Sequence, residues 1–403
     1  MEKKIFLLQG QVQYYDWGGY YFIPSWLEIE NRDHRHFAEY WMGAHVSAPA
    51  RILPAGIDLN EAIAKAATFY LGDHVAKQFK SLPYLFKLLD VNKMLSIQVH
   101  PSKDAAEKGF DEEELGGIGL KAPTRNFRDR NHKPEVMVAL SEFWLLHGFM
   151  EETLLIQKLS SVKSLHRLID VFREKGYRGL FEYVMYLEEA VSDTLLGPIV
   201  NHAMKLHLEN RLDKSQPEFW IAKWYAGRGV PSSKLDKGIF SLYFLNLVHL
   251  LPGEAIFQSE GVPHAYLEGQ NVELMANSDN VLRAGFTSKH IDVPSLIKHT
   301  LFEPITPAVM TGEKLSDQEI LYACPVPEFS LSAVTLVNNE WKHSSDSFET
   351  FLVLEGAVKF QGSNEIEARK GEVVGVVANE VFSVHASGRA RLFRAFTPKY
   401  ASP

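Results

Sequence analysis

The stretch from Leu82 to His100, LPYLFKLLDVNKMLSIQVH, ends in a pattern that leaves the chain few options. Over Ser96-Ile97-Gln98-Val99-His100, polar and apolar residues alternate with period two. In a β-strand this places Ser96, Gln98 and His100 on one face, with Ile97 and Val99 on the other. Three polar side chains in a row do not suit a core face. They suit the wall of a wet cavity, where an imidazole and an amide oxygen two residues apart can reach one ion from a single rigid strand.

The whole chain narrows what that cavity can serve. At 403 residues it exceeds the size at which one core stops growing, so two or three domains are expected. A formal net charge of −8 offers no basic footprint for nucleic acid or an anionic membrane, and an anionic substrate would need a local cationic pocket. The single cysteine, Cys324, excludes intrachain disulfides and thiolate-rich zinc sites. The apolar run at Ile5 to Leu8 is too short for a signal peptide, and the run from Ile239 to Leu251 is too short to span a bilayer. A cytoplasmic protein is expected.

Taken in order, the first 50 residues mix aromatic-rich alternating runs with turns and predict antiparallel β structure. His34, His36 and Glu39 have the composition of a metal site, but Asn31, Arg32, Asp33 and Arg35 around them mark an exposed loop. Residues 58 to 81 read as helix. Pro101 to Asp129 reads as a long loop that lines a site or forms a lid, with an acidic run at Asp111 to Glu114. Pro134 is tolerated near a strand start or on an edge, which puts Lys133 and Glu135 at a strand mouth. From Glu151 to about Trp224, Leu155, Leu159, Leu165, Leu168 and Phe172 recur at helical spacing and predict an all-helical insert. Gly227 to Lys237 is the return linker. Strand character resumes at Gly238, and hairpin turns at Glu355-Gly356 and Lys370-Gly371-Glu372 punctuate the last hundred residues. The expected class is mainly β with an α-helical insertion. Residues 1–150 and 238–310 form the catalytic part, 151–237 the insertion and 311–403 a further β domain, with which the N-terminal part can also pair.

Gln98, His100, Glu135 and His264 together offer two imidazoles, one carboxylate and one amide from three separated strand segments. A catalytic zinc takes a few such N/O ligands and keeps one position open. A lone buried histidine is more often a hydrogen-bonded core residue, so the weight rests on the residues around each. Pro83-Tyr84-Leu85-Phe86-Lys87 with Leu95 to Pro101, Asn131-His132-Lys133-Pro134-Glu135, Gly261 to Tyr266 and Ser278 to Gly285 closely resemble the type I mannose-6-phosphate isomerase (phosphomannose isomerase) family. The weaker Tyr15 to Gly18 and Ala38 to Gly43 also sit where that family has them, and the resemblance runs in order to about residue 300.

The resemblance implies a cupin-like double jelly roll plus a helical domain, and zinc-dependent interconversion of D-mannose 6-phosphate and D-fructose 6-phosphate. It places the zinc ligands on Gln98, His100, Glu135 and His264. The catalytic arginine falls on Arg283, the acid/base groups on Lys133 and Glu273, and the phosphate contacts on Ser96 and Lys87. The C-terminal turns carry no His-x-His and no nearby acid, so His385 is read as structural and the second jelly roll as metal-free. The expected partner is a small sugar phosphate, with no nucleic acid and no membrane, and the expected state is a monomer. Independently of the family, an aldose–ketose isomerase needs a polarising cation at two oxygens, a positioned base and a grip on the remote phosphate. Arg283 suits an anionic intermediate or phosphate, its alternative being a structural ion pair with Asp279 or Glu273. Two other readings compete. A redox cupin such as an iron-dependent dioxygenase is disfavoured by Gln98. A non-catalytic sugar-phosphate sensor is disfavoured by the intact ligand set beside Lys133 and Arg283.

Overall fold

The structure, a computed structural model, describes residues 3–399 and is mainly β with a helical segment between strands. Strands Phe143–Phe149 and Leu245–Leu250 pair antiparallel, Leu245 opposite Phe149 and Leu250 opposite Phe143. The chain between them therefore leaves and re-enters a single strand pair. It holds the helices Glu152–Ser160, His166–Tyr186, Glu189–Leu208 and Pro217–Tyr225, as the apolar spacing predicts. Their apolar stripe, including Leu155, Leu159, Leu168 and Phe181, packs against Ile97, Val99, Leu146 and Ala265 of the strands. Ile97 and Val99 are fully buried in that core, which is worth about 1.5–3 kcal/mol for each. The apolar face of the Ser96–His100 alternation thus glues the helices on, while its polar face is left for the cavity.

Strand His264–Ala276 organises the catalytic sheet. Its first residues lie opposite Ile97–Val99 and Phe143–Phe149, His264 facing both Gln98 and His147. From Gly269 onward it pairs with Tyr84–Val91 and, from Asn271, with Glu135–Ala139. The exchange of partners falls at Gly269, whose φ of +131° suits glycine alone. A Cβ there would also stand 2.6 Å from the Phe143 ring and 2.7 Å from the Glu142 carbonyl oxygen.

A nine-stranded sheet built mainly from residues 313–396 also takes in strand Ile5–Gln9, which pairs with Val373–Val376 on one side and Arg51–Ile52 on the other. One core joins it to the catalytic sheet through Phe6, Tyr84, Phe86, Leu274, Phe348 and Phe393. The other side of the nine-stranded sheet packs on a four-stranded sheet around Trp341, Phe351, Phe360 and Phe382. Among the described residues no helix is long and apolar enough to cross a membrane.

Three local expectations are corrected. Pro101 to Asp129 is not a structureless loop: Lys103–Leu115 is a helix whose first turn is capped by the Ser102 hydroxyl, 3.3 Å from the Ala105 amide. Strand character does not resume at Gly238. Gly238–Phe244 is a helix buried along its whole length, so it has no polar face and its apolar run carries no helical period. The C-terminal sheets do hold an acid beside a histidine: His343 Nε2 lies 2.9 Å from Glu349 Oε1. Arg394 fills the space next to them, 3.0 Å from Glu349 and from Glu319.

The catalytic part and the C-terminal sheets are also pinned by His132, whose ring nitrogens lie 3.2 Å from Glu260 and 2.8 Å from Glu328. Burial opposes the charged ring, but the two carboxylates outweigh it and raise its pKa from 6.5 to about 9. A raised folded-state pKa gives stability that is complete below pH 6.5 and is lost as pH rises through about 9. We expect the difference in unfolding midpoint between the wild type and His132→Gln to shrink over that interval. A constant difference from pH 6 to 10 would show that the ring contributes no charge to this link.

Candidate metal centre

Three strands bring His100, Glu135 and His264 together, and all three side chains are buried. Each imidazole is fixed through its Nδ1, which lies 2.8 Å from the Asn280 carbonyl for His100 and 2.9 Å from the Val262 carbonyl for His264. A carbonyl only accepts, so Nδ1 carries the proton and Nε2 presents a lone pair. Those lone pairs converge on one carboxylate: His100 Nε2 is 3.6 Å from Glu135 Oε1, and His264 Nε2 is 3.4 Å from Oε2. His100 Nε2 is buried with no hydrogen-bond partner in the protein. Acceptors facing acceptors in a buried space are unfavourable unless a cation lies among them. The donor set therefore fits a divalent ion with N/O preference. Gln98, opposite His264 in register, brings its amide to the same wall.

The electrostatics agree with a cation at this point. Burial and the nearby Lys133 push His100 well below the ordinary histidine range. Burial works to raise Glu135, but the Lys133 ammonium 2.8 Å away acts against it, and the carboxyl is held well below the usual carboxylate range. Glu135 is thus kept ionised and His100 neutral, the forms that bind metal.

Gln98, and Lys133 beside Glu135, border a cavity of about 540 Å³. Ser96, Gln98, Lys87, Lys133 and Arg283, each singled out from the sequence, line it, whereas His100, Glu135, His264 and Glu273 do not. The Glu273 carboxylate lies behind the wall, with Tyr266 donating to Oε1 at 2.8 Å and Lys87 to Oε2 at 3.0 Å. Lys87 also pairs with Glu39 at 3.6 Å, and Glu39 accepts from the Trp41 indole. Burial favours the neutral lysine, yet Glu273, Glu39 and Glu135 overcome it and raise the Lys87 pKa. Arg283 is paired with neither Asp279 nor Glu273. It has no carboxylate partner among the described residues, and burial together with Arg128 lowers its pKa. Lys289 is lowered likewise, by burial, Arg283 and Arg128. Arg128, Arg283 and Lys289 thus form a cationic end of the cavity, with Asp16 the carboxylate that acts on Lys289. Neither Arg128 nor Lys289 stands out in the sequence, because each lies in a polar loop that only the fold brings beside Arg283. The His34 and His36 pair stays out of the site: His36 bonds the Gly18 carbonyl and Tyr20, and His34 is exposed. Trp224 and Arg228, at the return from the helices, complete the rim.

The buried Lys87 has a structural consequence open to test. Replacing it with methionine leaves Glu39 and Glu273 without their shared cation. Breaking a buried pair from one side costs about 3–5 kcal/mol. Urea unfolding of Lys87→Met should show a loss of that order, and Lys87→Met/Glu273→Gln should recover part of it. A loss under about 1 kcal/mol would mean that the pair behaves as a solvated one.

Residues 5–152 match the family model of the type I phosphomannose isomerase catalytic domain. A mannose-6-phosphate isomerase of Shigella flexneri is 36% identical over 397 residues, covering 96% of this chain and 98% of its own length. The enzyme of that name from Escherichia coli (strain K12) is 35% identical over 399 residues. A mannose 6-phosphate isomerase structure from Salmonella typhimurium, described as bound to substrate (F6P) and zinc, superposes with a TM-score of 0.86. It is 33% identical, and the match covers 98% of this chain and all of that one. With the likeness spanning nearly the full length of these relatives and both sets of sheets, the chain belongs to the mannose-6-phosphate isomerase family.

Proposed function

We propose that the protein is a zinc-dependent aldose–ketose isomerase that interconverts D-mannose 6-phosphate and D-fructose 6-phosphate through an enediolate. One observation carries the reading. Gln98 and Lys133, next to a preorganised His100–Glu135–His264 centre, line a cavity that also holds Arg128, Arg283 and Lys289, none of them in an ion pair among the described residues. A sugar phosphate needs both. Its carbonyl and hydroxyl oxygens go to the centre, and its phosphate goes to the cations.

His100, Glu135, His264 and Gln98 would hold the zinc, which when bound supplies Lewis-acid polarisation of the sugar oxygens. Lys133 is the acid/base group that the geometry favours, since its ammonium lies on the cavity wall and that of Lys87 is shared by two carboxylates. Glu273, the other candidate, serves better as the anchor of Lys87. Ser96 keeps a contact to the substrate from the strand wall, and Lys87 acts chiefly by neutralising the buried acids. Arg283 remains protonated and stabilises the anionic intermediate, with Arg128 and Lys289 sharing the phosphate.

The zinc-loaded protein should turn over mannose 6-phosphate, lose activity on chelation and recover it with zinc. His100→Ala and His264→Ala should lower bound metal to a small fraction of one ion per chain. Full metal content in both variants would overturn the centre, and a zinc-loaded wild type with no turnover would leave only a binding protein.

A proton held on Lys133 can exchange with solvent before it returns to carbon. In D₂O, fructose 6-phosphate formed from mannose 6-phosphate should carry deuterium at C1. Lys133→Ala should lose about 10²–10⁴-fold in kcat with zinc retained. Near-normal kcat in that variant would remove Lys133 from the role.

A further inference from the structure

Asp279 lies on the cavity wall, and neither the ligand set nor the cationic end accounts for it. Its carboxylate is held from behind. His45 Nε2 stands 3.4 Å from Asp279 Oδ2. His45 Nδ1 receives the Ser47 amide N–H at 3.3 Å and lies 2.7 Å from the Ser47 hydroxyl. A backbone N–H only donates, so Nδ1 is an acceptor and the ring proton sits on Nε2, directed at the aspartate. The ring itself is buried and lies edge-on to Trp41, with centroids 5.0 Å apart. The main chain of Asp279 is fixed separately, its amide donating to Asp129 Oδ2 at 2.7 Å. Asp129 in turn accepts from the Ser278 hydroxyl at 2.9 Å and the Asn131 amide at 2.8 Å.

Every part of the residue is therefore held except Oδ1, which has no donor among the described residues. The side chain keeps 42% of its exposure, on the cavity side. The other carboxylates near the sugar are otherwise engaged. Glu135 belongs to the metal centre, Glu39 to Lys87 and Trp41, and Asp16 lies at the exposed rim. Burial acts to raise Asp279, but the His45 hydrogen bond, with Lys133 and Lys87, lowers it, so it is an ionised acceptor.

We infer that His45, braced by Ser47, is a positioning residue for this reaction, holding Asp279 so that Oδ1 accepts a hydrogen bond from a hydroxyl of the bound sugar. The inference rests on the isomerase reading above. His45 does not touch the substrate, and its effect passes through one oxygen of one side chain.

The test is a double-mutant cycle on the zinc-loaded enzyme with mannose 6-phosphate. His45→Leu should lower kcat/KM about ten- to hundredfold, the range for a lost hydrogen bond to a charged group, with zinc content and melting temperature close to wild type. His45→Gln, whose amide N–H can reach Asp279, should retain most of the activity. In an Asp279→Asn background His45→Leu should cost less than about twofold, since the contact through which it acts is already altered. If His45→Leu does not fold, His45→Asn, too short to reach the carboxylate, takes its place in the cycle. Equal impairment of the Gln and Leu variants, or a full His45→Leu penalty in the Asp279→Asn background, overturns the assignment while leaving the isomerase reading intact. Absence of turnover in the wild type overturns that reading and this assignment with it.

Discussion

Glu135 is a carboxylate with almost no exposure, faced by two imidazole lone pairs, and the rest of the catalytic part can be understood as the means of keeping it there. A buried anion is costly unless it is paired and hydrogen-bonded. Lys133 supplies one partner, two residues away along the same chain. For the other, the donor set of the two imidazoles and the carboxylate fits a cation. Their Nδ1 atoms are tied to carbonyls of Asn280 and Val262, so the two lone pairs cannot turn away to find protein donors. The site stores an unfavourable arrangement in its backbone hydrogen bonds, and a bound ion relieves it.

Holding three ligands from three strands demands that the strands not move relative to one another. The segment His264–Ala276 meets this by exchanging partners along its length, so that His264 is registered against Gln98 while Met275 is registered against Glu135. Gly269 allows the turn between the two pairings. The helical insertion then acts from outside. It buries Ile97 and Val99 on the reverse of the strand whose other face carries Gln98, so the pressure of a hydrophobic core lies directly behind a polar wall. Packing of this kind fixes side chains near the geometry that binding requires.

How much of this is legible in the sequence depends on whether the signal is local. The period-two run from Ser96 to His100, Pro134 beside Lys133 and Glu135, and the helical spacing after Glu151 each express a constraint felt within a few residues, and the structure follows them. The helix Gly238–Phe244 does not betray itself, because burial on all sides erases the polar–apolar contrast that makes a period visible. The helix Lys103–Leu115 is announced mainly by its Ser102 cap, which the acidic and glycine-rich wording around it obscures. Pairings such as His45 with Asp279, or Lys87 with both Glu39 and Glu273, join residues 48 to 234 positions apart and exist only through the sheet. So does the gathering of Arg128 and Lys289 around Arg283.

The C-terminal sheets solve the same electrostatic problem in the opposite way. There Glu349 is buried beside His343, as Glu135 is beside His100 and His264. The counter-charge is Arg394, bonded to Glu349 and Glu319 at 3.0 Å and to the Ser332 hydroxyl at 3.1 Å, with Phe396 3.9 Å from the guanidinium carbon. A guanidinium that is part of the chain never dissociates, leaves no open coordination position and cannot polarise an incoming oxygen as an exchangeable ion can. Its cluster stabilises charge but presents nothing to a ligand. At Glu135 the nearest lysine pairs with one carboxylate oxygen and leaves His100 Nε2 without a hydrogen-bond partner among the described residues. Two buried His–Glu arrangements in one chain thus differ in that one carries its counter-charge covalently, while the other presents a donor set that fits an exchangeable cation.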